Sequence, residues 1–331
     1  MHHVRINDLA RQIVEDIVEN KDHYNAEIHK LDNGATVLDM SKASWTGGKL
    51  VGEICMGGLG TIEFSSYNLD GHFIPSVNVY TSEPLISCMA SQLAGWSIKL
   101  KKDIEKDGQI KKKVVFQSLG SGPARAKSKV EKIFDELDYT DDSNCAVIVF
   151  ETPKLPNEEV MDIVAKKCGV DSNDTYAVCA PTACLVGSIQ VAARIVETGI
   201  HKLHEIKFPL NLISDGFGSA TIAPIAQDDL GAMGRTNDSI SAAGLTYYNI
   251  HVEKEREVEL FELLKKAPAN TSSSYGKPFF ETFKAADYKF YDIDPGLFAP
   301  AIYTVTNTKT GNCLTVGRVN NELLKQSYGL D

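Results

Sequence analysis

The sequence is short of the features that mark several large classes of protein. No segment offers about eighteen consecutive apolar residues, the minimum for a helix spanning a bilayer, and the amino terminus MHHVRINDLARQIVEDIVEN has no hydrophobic signal core. Membrane-embedded and secreted proteins are thereby disfavoured. The seven cysteines, Cys55, Cys88, Cys145, Cys168, Cys179, Cys184 and Cys313, include no Cys-x-x-Cys pair, so zinc and disulfide frameworks both fail. Most lie in apolar runs, where a thiol acts as a small hydrophobe and suits a reducing cytoplasm. Basic charge is in deficit: 34 Lys and Arg against 44 Asp and Glu leave a formal charge of −10, which argues against a general nucleic-acid binder. Proline- or serine-rich tracts and solenoid repeats are missing as well. The expectation is an ordered, soluble, cytoplasmic protein that binds neither nucleic acid nor membrane.

What is present is enough chain for two cores. At 331 residues the sequence exceeds the usual single domain, and the expected division is 1–95 plus 290–331 against 96–289, with a cleft between them. Apolar spacing predicts a helix over residues 4–20, a hairpin turning at Asp32-Asn33-Gly34, and strands from there to Tyr80. A short helix is expected from Pro84 to Gly95, then a strand from Trp96. The run from Lys99 to Lys113 reads as an exposed hairpin tip turning at Asp107-Gly108. Strand Cys145–Phe150, helix Asn157–Lys167 and strand Tyr176–Cys179 alternate as in an α/β layer. A small, polar loop is expected over Ala223–Asp238. The predicted class is α/β (mixed α+β), two α/β domains with a deep pocket between them.

The central stretch is Ala180–Gly199, APTACLVGSIQVAARIVETG, predicted as one buried helix with Pro181 at its start and Gly199 at its stop. Ala183, Gly187, Gln190, Arg194 and Glu197 fall on one side of it. Two charges on an apolar helix need each other or a polar cavity. Arg194 and Glu197 are therefore either a structural i,i+3 ion pair or the working wall of a cleft in which Gln190 hydrogen-bonds a ligand.

Two glycine-bearing motifs invite comparison with nucleotide loops. Cys55-Met56-Gly57-Gly58-Leu59-Gly60 has the wrong spacing, and its glycines are expected to mark a bulge or a close backbone approach. Gly120-Ser121-Gly122-Pro123-Ala124-Arg125 reads either as a plain helix cap or as a seat for phosphate or carboxylate, with Arg125 in the first turn. Arg125 replaces the third glycine of a dinucleotide fingerprint, which disfavours an NAD-dependent dehydrogenase. Arg235, Thr236 and Asn237 offer further donors, and Thr182 and Ser188 complete the candidate contacts. His201 and His204, at i,i+3, lack further ligands at metal-binding spacing, so no metal site is expected.

Taken together, GEICMGGLGT, GSGPARA, APTACLVGSIQVAARIVETGI, DDLGAMGRTND, YGKPF and IDPGLFAPA resemble, in that order and over almost the full length, the methenyltetrahydromethanopterin cyclohydrolases of archaea and some methylotrophic bacteria. The resemblance implies a cytoplasmic homotrimer without a prosthetic group, whose substrate is the tetrahydromethanopterin one-carbon carrier of methanogenesis, its reverse, or one-carbon oxidation. It implies reversible hydrolysis of the N5,N10-methenyl carrier to its N5-formyl form. It places the catalytic glutamate on Glu197 and its partner on Arg194, and it makes Ser121, Gly122 and Arg125 part of an anion-binding wall. The sequence departs from the family in the long Lys99–Lys113 connection. The alternative of another class is a pterin- or nucleotide-binding carrier protein without turnover.

Overall fold

A computed structural model of the chain describes residues 4–106, 109–289 and 292–330. The chain divides into two compact units, one made of Met1–Gly58 with Ala90–Pro181 and the other of Leu59–Met89 with Thr182–Asp331. Each unit contains a six-stranded mixed sheet, so the protein is of mixed α/β class.

The chain starts in the first unit with α1 (Ile6–Glu19), whose Ile6, Ala10, Val14 and Ile17 are buried at helical spacing. After the short α2 (Lys21–Tyr24) comes the expected hairpin of β1 (Glu27–Lys30) and β2 (Thr36–Asp39). Trp45–Cys55 is then a helix, α3, where strand was expected. Ser44 caps it by accepting from the Gly47 N–H at 3.3 Å, and its buried residues, Gly47, Gly48, Val51, Gly52, Ile54 and Cys55, recur at helical rather than alternating spacing. Gly57 and Gly58 end this helix with φ of 66° and 73°. A Cβ at either would lie within 2.9 Å of a side-chain carbon of Ile6 or Leu9, so the glycine cluster is where the chain crosses closely over α1.

The hairpin of β3 (Gly60–Leu69) and β4 (His72–Thr81) belongs to the second unit. A helix wound at π spacing, Leu85–Gln92, follows within the expected Pro84–Gly95 span. The long hairpin of β5 (Trp96–Lys106) and β6 (Gln109–Ser121) is formed, while the Asp107-Gly108 turn lies outside the described residues. The first unit closes with α4 (Ala124–Ser128), β7 (Ala146–Glu151), α5 (Glu158–Cys168) and β8 (Thr175–Ala180). Its sheet runs β1-β2-β8-β7-β6-β5, parallel only where β8 pairs with β2 and β7. Those central strands read as continuous apolar runs because both faces are covered. Ile148, Phe150 and Ala177 pack in one core with Val160, Met161 and Val164 of α5.

The second unit continues with α6 (Leu185–Ala192), α7 (Ile195–Glu205), β9 (Ile213–Thr221) and α8 (Asp229–Ala243). It ends through β10 (Leu245–Ile250), α9 (Lys254–Leu264), α10 (Phe279–Ala285), β11 (Ile302–Asn307), β12 (Cys313–Gly317) and α11 (Asn321–Tyr328). The sheet order is β12-β11-β10-β9-β4-β3, with β10 and β11 its one parallel pair. Two expectations are corrected here. The single helix Ala180–Gly199 is two helices, and the loop Ala223–Asp238 is mostly α8, capped by Asp228, which accepts from the Gly231 N–H at 2.7 Å. Among the described residues no helix is long and apolar enough to cross a membrane.

Candidate active site

Three of the candidate residues sit around the break between α6 and α7. Cys184, extended, starts α6 by accepting from the Gly187 N–H through Sγ at 3.3 Å. At the far end the Arg194 N–H reaches back only three residues, to the Val191 carbonyl at 3.0 Å, and Arg194 has ψ of 3°. This tightened turn ends α6 and lets α7 begin afresh at Ile195.

Gln190 and Arg194 still share one side, as the spacing predicts: Arg194 Nε donates to Gln190 Oε1 at 3.2 Å. Glu197 lies in the first turn of α7 and is 5 % exposed. Among the described residues its carboxylate has neither a hydrogen-bond nor a salt-bridge partner, so the i,i+3 ion pair with Arg194 is not formed. The positive end of the α7 dipole offsets part of the cost of burying that carboxylate.

Close packing fixes α7 against the sheet. A Cβ on Gly216 of β9 would stand 2.7 Å from Val196 Cγ1, and one on Gly218 would stand 2.9 Å from Ile195 Cγ2. Larger residues there would lift the helix and carry Glu197 with it. Cys88 and Tyr248 lie near enough to feel the Glu197 charge. Burial pushes the Cys88 thiol well up, and it pushes the Tyr248 phenol up too, with Glu197 adding to each shift.

The other candidates of this unit are more internally engaged. Thr182 and Ser188 are buried, and the Ala183 N–H donates to Asp229 Oδ1 at 2.8 Å, tying the approach to α6 onto α8. Arg235 Nη1 donates to the carbonyls of Pro224 and Ile225 at 3.2 and 3.3 Å. Thr236 Oγ1 and Asn237 Nδ2 return to their own helix, at Ala232 O (2.9 Å) and Met233 O (2.8 Å). These donors therefore sit on a helix rather than on the loop their residue types predict. His201 and His204 both lie on α7, and among the described residues no three His, Cys, Asp or Glu side chains gather as a metal-holding group.

Asp238, one residue beyond that motif, is absent from the sequence-derived set. It is 1 % exposed, and both its oxygens accept from the Phe279 N–H at 3.0 Å, at the start of α10. Burial raises its pKa to about 7, against the lowering effect of its hydrogen bonds. The helical spacing of Ala232, Thr236 and Ser239 was the signal that would have put it on a buried face.

In the first unit, Ser121 Oγ donates to the Gln92 carbonyl at 2.6 Å, and the Gly122 N–H to the Ser91 carbonyl at 2.9 Å. Arg125 is fully buried. Its Nε and Nη2 form a bidentate pair with Glu131 at 2.8 and 2.7 Å, and Nη1 donates to the Ser91 carbonyl at 3.1 Å. Within the unit, the anion that Arg125 meets is Glu131.

A family model described as Cyclohydrolase (MCH) matches residues 5–328. The chain is 44% identical over 331 residues to the methenyltetrahydromethanopterin cyclohydrolase of Methanocaldococcus jannaschii, covering 98% of each chain. It is 42% identical to the protein of that name from Methanococcus aeolicus, again over 98% of each, and 37% identical to that from Methanosarcina mazei, over 99% of each.

Proposed function

The chain belongs to the methenyltetrahydromethanopterin cyclohydrolase family and is a hydrolase of that kind, and from this premise we propose that Glu197 is the catalytic base and Arg194 the group that tunes it. One observation carries the reading: a glutamate only 5 % exposed, three residues from an arginine, whose carboxylate is joined to no side chain among the described residues. Leaving a carboxylate so costs stability, which a purely structural glutamate would have no reason to spend.

The methenyl carbon lies between N5 and N10 in an amidinium cation and is electrophilic as it stands. Water adds to that carbon while the Glu197 carboxylate takes one of its protons. The protonated carboxyl then delivers that proton to N10 as the carbon–N10 bond breaks, and the bond's electron pair stays on N10. The remaining hydroxyl proton leaves through the carboxylate as the formyl C=O forms on N5, so the cation's charge departs as one proton to solvent. Gln190 accepts from Arg194 Nε and so helps to hold the guanidinium on the side of the helix from which it would act. The carboxylate must stabilise the hydrated transition state beyond the bound cation, or it would only tighten binding.

We further propose, as the resemblance implies, a homotrimer in the cytoplasm acting in tetrahydromethanopterin one-carbon metabolism without a prosthetic group; mass in solution checks the assembly. The activity is tested by adding protein to the methenyl carrier and following the near-UV absorbance of the methenyl cation. Decay of that absorbance at a rate proportional to protein is expected. Stoichiometric binding with the absorbance intact would replace the enzyme by a carrier.

A further inference from the structure

Two fully buried tyrosines stand on the neighbouring parallel strands β10 and β11, Tyr248 and Tyr303, with ring centroids 6.4 Å apart. Both phenols end against α7. Tyr248 Oη donates to the Val196 carbonyl at 2.9 Å, and Tyr303 Oη to the Gly199 carbonyl at 3.4 Å. These carbonyls flank Glu197, one on each side. As interior groups of a helix they already have backbone N–H partners four residues on, and each phenol takes a second lone pair. Phenylalanine would fill the same space without a hydroxyl to desolvate, so packing alone does not account for the hydroxyls.

The chain around them is arranged to admit the phenol. A Cβ at Gly199 would lie 2.0 Å from Tyr248 Oη, so any side chain there would expel the hydroxyl. The need for such an anchor follows from the break at Arg194. Because α7 starts afresh at Ile195, its first turn is not held by continuous hydrogen bonding from α6 and must be fixed from the side. Burial keeps the Tyr248 phenol protonated, so it donates throughout the pH range in which a carboxylate base is ionised.

We propose that Tyr248 is a positioning residue for Glu197: its hydrogen bond to the Val196 carbonyl, backed by that of Tyr303 to Gly199, sets the rotation and height of the first turn of α7 and thereby aims the carboxylate. This rests on the assignment of Glu197 as base. A displacement of an ångström at a reacting group costs rate far more than binding.

The test is a double-mutant cycle on the full chain with Tyr248→Phe, Glu197→Gln and their combination, following kcat, KM and the urea midpoint with the methenyl carrier. Tyr248→Phe is expected to lower kcat about 10-fold with KM within about twofold, and to change kcat by less than about twofold when added to Glu197→Gln. Wild-type kcat in Tyr248→Phe, or an undiminished loss in the Glu197→Gln background, overturns the proposal. Full turnover in Glu197→Gln alone shows that the base assignment has failed and the positioning role with it, an outcome read without Tyr248→Phe. If Tyr248→Phe does not fold, Tyr303→Phe takes its place in the same cycle, with an expected loss of about threefold because its bond is longer.

Discussion

Each unit holds an arginine with a glutamate close to it in sequence, and the two pairs behave oppositely. Arg125 and Glu131 are closed: two parallel hydrogen bonds join them, the guanidinium is wholly buried, and Ser91 takes another donor. Arg194 and Glu197 are open: the spacing suits an ion pair, yet Arg194 turns to Gln190 and the carboxylate is left without a partner among the described residues. A closed pair spends its charge on the fold, whereas an open one leaves a carboxylate available for the proton transfer proposed for Glu197. Residue spacing alone does not report which of the two pairs is joined.

The largest expected effect separates the pairs by what each substitution removes. Glu197→Gln should lower kcat by roughly 10²–10⁴, about 3–5 kcal/mol of barrier, with the urea midpoint unchanged or raised because a buried, unpartnered charge is removed. Wild-type turnover with a lowered midpoint would make this pair structural too. Glu131→Gln should do the reverse. It removes the charge that answers a buried guanidinium, so unfolding free energy should fall by up to about 3–5 kcal/mol while kcat per folded molecule holds. A stable variant with crippled turnover would move Arg125 into the chemistry.

Asp238 sharpens the comparison as a buried carboxylate satisfied by a backbone N–H rather than by an arginine. Its folded pKa, about 7, lies above the unfolded value, so the native state binds the extra proton. Its contribution to stability is complete below about pH 4 and is lost as pH rises towards 7, by as much as about 4 kcal/mol. Asp238→Asn should flatten that slope, so the gap in urea midpoint between wild type and variant should widen from pH 5 to pH 8. Parallel midpoint curves would mean that Asp238 is ionised throughout.

The smallest effect belongs to the exposed hairpin of β5 and β6, where Lys99, Lys101, Lys111 and Lys113 are all exposed. Their joint replacement by glutamine should raise KM for the methenyl carrier by no more than about tenfold, leave kcat alone, and lose its effect in about 0.5 M salt. A salt-insensitive change, or a fall in kcat, would remove the lysines from carrier binding.

Much of the scaffold is legible where one physical signal dominates. Buried apolar residues recur at helical spacing in α1, and the Asp-Asn-Gly turn specifies the β1–β2 hairpin. Elements made of small residues are hard to read because propensity misleads. In α3 and α8 the glycines, serines and threonines are poor helix formers, held helical by the Ser44 and Asp228 caps and by packing. The break at Arg194 is invisible for a different reason. Ala192, Ala193 and Ile195 would all continue a helix, and the interruption is a tertiary choice. Gln190, Arg194 and Glu197 stand out in the sequence as a candidate set, but the bond that joins two of them and leaves out the third does not. Tyr248 escapes notice because it comes from a strand some fifty residues away from Glu197 in the chain, a separation of 51 (248 − 197) that no local pattern can report.

Gly58 marks a further consequence, one of timing. The chain leaves the first unit there, lays down the β3–β4 hairpin, and only much later makes β9, the strand that pairs with β4 from Ser76↔Thr221 to Thr81↔Gly216. At about 5–20 residues per second, the roughly 130 residues from Thr81 to Ile213 keep the ribosome busy on the order of ten seconds. Throughout that interval Val77 and Val79, both buried in the finished protein, wait on a nascent hairpin with one edge unsatisfied. The emerging polypeptide is therefore most exposed to aggregation while its first unit is being completed, and slowing translation of the intervening segment should lower soluble yield without altering a single native contact.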